Sequence, residues 1–166
     1  MILDIVTRRI VHWNLTRHPT AHWTIQQFRD GLPIDGPYRI LVHDRDGIFA
    51  PAVDEALDAM SLRVLKTPIH TPQANGHCER FIGTARRECL DWMIPLNEQH
   101  LRRVLAEWMP HYNRERPHSA LGPRLPDEPT RRATLTGHRV SPAHRVVASA
   151  RLAGLHHDDR LESVAA

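Results

Sequence analysis

The stretch from Leu65 to Trp92 constrains the fold of this 166-residue chain more than any other. It reads LKTPIHTPQANGHCERFIGTARRECLDW, which predicts the end of an apolar strand, a loop with two prolines and then a long helix. Asn75 is placed to cap this helix, and Glu79 lies one turn into it. The apolar residues recur with helical spacing and predict one buried face, made of Cys78, Phe81, Ile82, Ala85 and Cys89.

Short apolar segments alternate with helix-like segments along the rest of the chain. Strands are predicted as a hairpin within residues 1–15, at 38–43 and at 62–65. Helices are predicted from the cap residue Thr20 to about Asp30, from Pro51 onward, and from the cap residue Asn97 to Tyr112. A last apolar patch, 146–155, suggests a short strand pair. This alternation predicts an α/β domain.

The basic residues are almost all arginine, because Lys66 is the only lysine among 22 basic side chains. Arginine keeps its charge and grips phosphate with a flat fork of donors. With a net charge of +3, this bias points to a nucleic-acid partner. A genome rich in G and C would produce the same bias, so composition leaves both explanations open.

The two cysteines, Cys78 and Cys89, lie eleven residues apart on one predicted helix. That separation is about 16 Å at the helical rise, whereas a disulfide needs Cα atoms within about 7 Å. We therefore expect two free thiols in a reducing cytosol. The sequence shows neither a membrane-length apolar run nor a signal peptide, and 41% hydrophobic residues argue against disorder. We expect a soluble, cytoplasmic protein.

Asp44 and Glu79 are two carboxylates that can converge on one metal site. Asp44 follows a predicted strand and lies 35 residues before Glu79, on the predicted helix. Phosphodiester chemistry often uses divalent metals, and Mg²⁺ prefers carboxylate oxygens. Spacing alone does not select this pair, because the chain has 19 acidic residues and Asp46 competes with Asp44. Asp4 sits beside a predicted turn, where Asp is common for hydrogen bonding.

A zinc site is a weaker interpretation of the histidines and cysteines. The candidate ligands are His70, His77, Cys78 and Cys89. Their spacing fits no common zinc pattern, and Cys78 falls on the predicted buried face, so core packing is favoured.

Tryptophans and arginine pairs are the remaining candidates for nucleic-acid contacts. We interpret Trp92 and Trp108 as core or helix-contact residues rather than as platforms for base stacking. The Arg86-Arg87 pair shares a helix with Glu79, which favours phosphate contact. The pair at 131–132 is expected to lie in a solvated tail.

Three segments in fixed order resemble the integrase core of bacterial insertion-sequence transposases, which are similar to retroviral integrases. The segments are HDRDGIF, TPQANGHCERFIGTARRECLDW and HYNRERPHSALG. The resemblance implies a ribonuclease-H-like α/β fold with a mixed sheet flanked by helices. It predicts a partial integrase catalytic core over residues 1–129. Residues 130–166 are then expected to form an Arg- and Pro-containing tail with a short apolar segment.

The family cuts and joins DNA ends with an Asp-Asp-Glu site that holds Mg²⁺ (or Mn²⁺). By resemblance, Asp44 matches the second Asp, because Phe49 then takes the family's aromatic position, and Glu79 matches the Glu. The loop residues before Glu79 are Pro72, Gln73, Asn75 and Gly76. Arg80 and Arg86, with the neighbouring Arg87, are expected to bind DNA. The implied partners are double-stranded DNA, as element ends and target, and further copies of the chain in intact relatives.

One departure from the family concerns the first catalytic Asp. The family places it on a first, central strand, ahead of a second strand that ends in a turn matched here by Asp4-Ile5-Val6-Thr7-Arg8. The resemblance therefore predicts an N-terminally truncated core that lacks this strand and its Asp.

Three functions follow from the sequence as hypotheses. The first is a transposase/integrase catalytic domain for metal-dependent DNA strand cleavage and transfer, in a truncated copy of weak or no activity. The alternative is a non-catalytic DNA-binding remnant of a decayed insertion element. A ribonuclease-H-like nuclease of other purpose is the third. Whether the chain is an enzyme, which DNA ends it recognises and how it oligomerises stay open.

Overall fold

The computed structural model describes residues 1–68, 75–122, 124–128 and 140–164. The predicted site candidates His70, Pro72, Gln73, Arg131 and Arg132 lie outside these residues. The chain divides into two compact units, one of Met1–Ile5 with Ile10–Met93 and one of Val6–Arg9 with Ile94–Ala166. The boundary predicted at residue 129 marks the end of the family resemblance. The division into compact units does not test it, so it stays a prediction.

The first unit contains two separate pairs of strands. β1 (Ile2–Leu3) pairs antiparallel with β2 (Ile10–His12), through an irregular register. β3 (Ile40–His43) pairs parallel with β4 (Arg63–Lys66). The described strands thus include the antiparallel and the parallel pairing that a mixed sheet requires. The two pairings lie in separate two-stranded sheets rather than in the single predicted sheet. β1 has only two residues, which is too short for an extended ladder of hydrogen bonds.

Two helices and the parallel strands enclose the core of this unit. α1 (Ala21–Gly31) is capped by Thr20, whose hydroxyl accepts from the backbone N–H of Trp23 at 3.1 Å. α2 (Pro51–Ala59) begins at its proline as predicted. Buried side chains from both helices and the following segments form one cluster: Phe28, Leu32, Val53, Leu57 and Leu62. Leu41 of β3 and Val64 of β4 pack against the cluster, which sets the position of the carboxyl end of β3.

α3 (Gly76–Glu88) is shorter than the predicted helix and has a narrower buried face. Phe81, Thr84 and Ala85 are buried, whereas Ile82 is 52% exposed, so its predicted burial is wrong. At about 100° per residue, Ile82 points away from Phe81 and toward the face that carries Glu79. A 3₁₀ turn, Leu90–Trp92, follows the helix, and both cysteines are free thiols as predicted.

The second unit packs a hairpin against one long helix. α4 (Glu98–Arg114) begins at Asn97, whose side chain accepts from the N–H of His100 at 2.8 Å, and it continues past Pro110. β5 (His144–Arg151) and β6 (His156–Ser163) form an antiparallel hairpin that is longer than the predicted strand pair. In the described part of the chain, no helix combines the length and apolar composition needed to cross a membrane.

Candidate active site

Asp44 lies directly after β3, and its carboxylate is half-buried and already oriented. Oδ1 accepts from the backbone N–H of Asp46 at 3.1 Å. Asp46, the rival candidate, is exposed, and its own Oδ1 accepts from the N–H of Ile48 at 3.0 Å. Both aspartates therefore stabilise the turn between β3 and α2, as short acidic side chains commonly do.

Asn75 connects this turn to the start of α3. Its Nδ2 lies 3.4 Å from Oδ2 of Asp44, a long hydrogen bond across 31 residues of sequence. Asn75 occupies the predicted cap position of α3, but its side chain makes no capping hydrogen bond. The predicted cap position is therefore confirmed, but the side-chain amide contacts the Asp44 carboxylate instead of the helix backbone.

Glu79 lies in the first turn of α3 and is exposed. It makes no hydrogen bond or ion pair with any residue that the structure describes. The side-chain oxygens of Glu79 are therefore open to an external ligand.

The Cys78 thiol, next to Glu79 in the sequence, is influenced by both carboxylates. Burial raises the pKa of the Cys78 thiol, the Met1 amino group acts in the opposite sense, and the charges of Asp44 and Glu79 each raise it further. Both carboxylates thus act on one half-buried thiol. No group of three or more His, Cys, Asp or Glu side chains among the described residues is arranged to hold a metal ion. The zinc interpretation therefore gains no support from His77, Cys78 and Cys89.

A polar network behind Asp44 was not predicted from the sequence. The buried ring of His43 places Nδ1 2.5 Å from the Asp44 carbonyl oxygen and Nε2 2.9 Å from Oδ1 of Asp54. Asp54 Oδ2 lies 2.5 Å from the ammonium of Lys66. The His43 ring also stacks on Phe49, with 4.2 Å between centroids. These contacts fix the backbone of Asp44 to α2 and β4.

The hydrogen bond from Lys66 holds the pKa of Asp54 below its ordinary value. Burial opposes this effect, and the hydrogen bond from His43 adds to the lowering of the pKa. An ionised Asp54 is therefore part of the folded structure at neutral pH. The only sequence signal for this network was an Asp in the first turn of a predicted helix. That signal is weak, because an Asp is common at this position without such a network.

The exposed face of α3 carries the predicted arginines. Arg80 and Arg87 are exposed and form no ion pair with a described residue, while Nε of Arg86 lies 3.8 Å from Oδ1 of Asp91. Gly83 lies on the same face, and a Cβ atom there would meet Nη1 of Arg87 at 3.0 Å. The missing side chain thus leaves room for the Arg87 guanidinium to lie along the helix.

The two tryptophans singled out from the sequence have opposite environments. Trp108 is fully buried in α4, as predicted. Trp92 is 70% exposed, so it is not a core residue, although its Nε1 donates to the Arg87 carbonyl oxygen at 2.7 Å. The indole therefore contacts the helix end through this hydrogen bond.

Comparisons with known proteins give a family match and a structural similarity. Residues 62–126 match the integrase core domain family, which confirms the resemblance predicted from the sequence. A chain in the cryo-EM structure of the simian T-cell lymphotropic virus intasome in complex with PP2A regulatory subunit B56 gamma has a similar fold, with a TM-score of 0.57. The similarity covers 87% of this chain and 53% of that one at 12% identity, so it shows a mixed α/β fold alone.

The sequence relatives of the chain include InsD proteins of bacterial insertion elements. Over 144 residues, the chain is 28% identical to the InsD protein of insertion element IS2E of Escherichia coli, covering 81% of this chain and 66% of that protein. It is equally similar to transposase InsD for insertion element IS2A/D/F/H/I/K of Escherichia coli, of which it covers 48%. The chain thus spans about half to two thirds of the length of these relatives.

Proposed function

We propose that this chain carries a transposase-type catalytic core that acts on double-stranded DNA. The observation that supports it most is the contact of Asn75 with Asp44, which joins the end of β3 to the start of α3, the helix that carries Glu79. The same exposed helix face carries three arginines that can contact phosphates: Arg80, Arg86 and Arg87.

The donor chemistry of this pair fits Mg²⁺ or Mn²⁺. Both ligands offer carboxylate oxygens, which such hard cations prefer, and Glu79 has no competing described partner. A bound divalent metal would activate a water and stabilise the leaving oxygen in phosphodiester cleavage. Asp44 would hold its ligand oxygens in place through the turn with Asp46 and the contact with Asn75.

We infer that these 166 residues have weak or no strand-transfer activity by themselves. The family's site uses three carboxylates, and only Asp44 and Glu79 match its positions. Asp4 directly follows β1 and matches a turn residue of the family rather than its first Asp. Cleavage at two DNA ends would also require more than one copy of the chain.

Metal binding and DNA binding test the proposal separately. We expect Mn²⁺ to bind the purified chain, as followed by electron paramagnetic resonance, and Asp44→Asn or Glu79→Gln to weaken that binding. Asp46→Asn is the matched control and should leave metal affinity unchanged. Equal Mn²⁺ binding by all four proteins would overturn the metal site.

The arginine face is tested by fluorescence anisotropy with duplex DNA. The double variant Arg86→Gln/Arg87→Gln should weaken binding uniformly across sequences and lower the salt slope by about two, one for each lost phosphate contact. An unchanged salt slope would contradict a role of this face in DNA binding.

A non-catalytic DNA-binding remnant is the second candidate. It is favoured by the finding that no three potential metal ligands cluster among the described residues. Such a protein would bind duplex DNA equally well with Mg²⁺ or with chelator, and Asp44→Asn would not change its affinity.

A further inference from the structure

The indole of Trp92 is the largest exposed feature near the arginine face that the proposed function does not use. The side chain is 70% exposed, yet it is not loose, because Nε1 donates to the carbonyl oxygen of Arg87 at 2.7 Å. An indole has only this one donor. Since that donor is occupied by the helix end, the solvent-facing part of the ring is a flat, apolar π-surface in a defined orientation.

Two exposed arginines, Arg86 and Arg87, lie at the end of α3 that Trp92 contacts. Arg87 provides the carbonyl that holds Trp92, and its guanidinium makes no ion pair with a described residue. Arg86 lies 3.8 Å from Asp91, the residue directly before Trp92, in a pair that is exposed on both sides. Exposed ion pairs of this kind are weak, so Arg86 can exchange Asp91 for another anion.

An exposed aromatic face beside arginines is the combination that binds unpaired nucleotides. The arginines attract the phosphates of a strand, and the ring stacks with any base because every base has a π-face. Within an intact duplex, however, a base stacks on its neighbours and cannot reach such a ring. The cost of leaving the stack is lowest for a base that is mismatched, frayed or already single-stranded.

We propose that Trp92 is a stacking platform for an unpaired DNA base, next to a strand held by Arg86 and Arg87. The proposal rests on the proposed function and specifies its substrate as a DNA end that presents an unpaired nucleotide. A docking site for another protein is the competing interpretation of the exposed ring, and the oligomeric mass measured below distinguishes it from the platform.

Two DNA duplexes of identical sequence test the platform with the full chain. One duplex is blunt, and the other carries a short single-stranded overhang that contains 2-aminopurine. We expect the overhang to bind about tenfold more tightly than the blunt end, with quenching of 2-aminopurine fluorescence on stacking. Trp92→Leu should abolish both the preference and the quenching and leave blunt-end affinity unchanged. Trp92→Phe keeps a π-face without the indole donor and should retain most of the preference.

A control variant and two further outcomes make the result decisive. Ile82→Ala removes an exposed apolar side chain from the same helix and should leave the overhang preference intact. If Trp92→Leu keeps the preference while blunt-end binding still depends on Arg86 and Arg87, the platform is overturned and the proposed function stands. If the wild-type chain binds no DNA, the proposed function fails first. If Trp92→Leu changes only the oligomeric mass, the ring is a protein contact and the platform is overturned.

Discussion

The side-chain amide of Asn75 lies 3.4 Å from Oδ2 of Asp44 and links the residue before α3 to the residue after β3. The contact couples the two elements that carry the proposed metal ligands. It also explains why the Asn75 side chain makes no capping hydrogen bond, although Asn75 is the cap residue of α3.

Asn75→Ala is therefore expected to weaken Mn²⁺ binding by about tenfold, as is usual when a group that orients a metal ligand is removed. Electron paramagnetic resonance titration measures the change. Asn97→Ala is the matched control, since Asn97 caps α4 through the N–H of His100. The control should lose about 1 kcal/mol of helix stability without a change in metal affinity. Equal metal affinities for the Asn75 variant and the wild type would show that the contact does not orient Asp44.

Gly83→Ala should separate helix stability from DNA binding. An added methyl group would lie 3.0 Å from Nη1 of Arg87 and force the guanidinium away from the helix surface. Alanine should stabilise α3 by about 0.5–1 kcal/mol relative to glycine. DNA affinity should nevertheless fall, with a salt slope reduced by about one if the Arg87 phosphate contact is lost.

Gly76→Ala serves as the control for Gly83→Ala, because a Cβ atom at Gly76 of the same helix meets nothing within 4 Å. Thermal unfolding and anisotropy titrations at several salt concentrations measure the two effects. A Gly83 variant with unchanged affinity and salt slope would argue against phosphate contact by Arg87.

Asp158 anchors the hairpin of the second unit to α4. Its Oδ1 lies 2.7 Å from Nδ1 of His111, and its Oδ2 accepts from the Arg151 guanidinium, with the carboxylate only 5% exposed. Asp158→Asn should destabilise the hairpin by about 3 kcal/mol, because it removes one partner of a buried charged network. Hydrogen exchange of the β5 and β6 amides measures this loss. Asp159→Asn is the control, because Asp159 is the exposed neighbour of Asp158. It should change stability by no more than about 0.5 kcal/mol.

The same network predicts a direction of pH dependence. Burial by itself would raise the pKa of Asp158, but hydrogen bonds from His111 and Arg151 outweigh it and hold the pKa below 3.8. A carboxyl with a lowered pKa stabilises the fold above its unfolded-state value and loses that contribution as the pH falls through the folded-state value. Protection of the hairpin amides should therefore decrease below pH 3.8 in the wild type, and this acid dependence should be absent in Asp158→Asn.

Lys66→Met tests the network behind Asp44. Loss of the Lys66 hydrogen bond should raise the pKa of Asp54 toward its ordinary value. The cost in stability at neutral pH should be about 0.5–1 kcal/mol, limited by solvent screening because Lys66 is 39% exposed. Since the pKa of Asp54 is lowered in the fold, the difference between the variant and the wild type should vanish as the pH falls through that lowered pKa. Urea unfolding across this pH range measures it, and Arg63→Met on the same strand is the control.

Local signals predicted the elements well. The caps at Thr20 and Asn97 hold α1 and α4 as expected, because each bond joins residues three apart. The start of α2 at Pro51 follows from the fixed backbone angle of proline. The separation of the cysteines along α3 likewise predicted two free thiols. Helix ends were less predictable, since α4 ends at Arg114 rather than at the predicted Tyr112.

The candidate site was predictable as a set of residues but not as an arrangement. Asp44 and Glu79 could be selected from 19 acidic residues only through the resemblance of several motifs in order. That resemblance is confirmed at the level of the integrase core domain. The roles of the two carboxylates and of the arginines stay predictions, and the variants above test them.

The sequence by itself thus determined the order of strands and helices, their capping residues and the family resemblance. These depend on residue identity and on interactions within about one helical turn. Only the tertiary structure decided that Asn75 contacts Asp44, that His43 and Asp54 meet behind it, and that Trp92 is exposed. Such contacts join residues 11 to 31 positions apart, and their geometry depends on how the elements pack rather than on any local pattern.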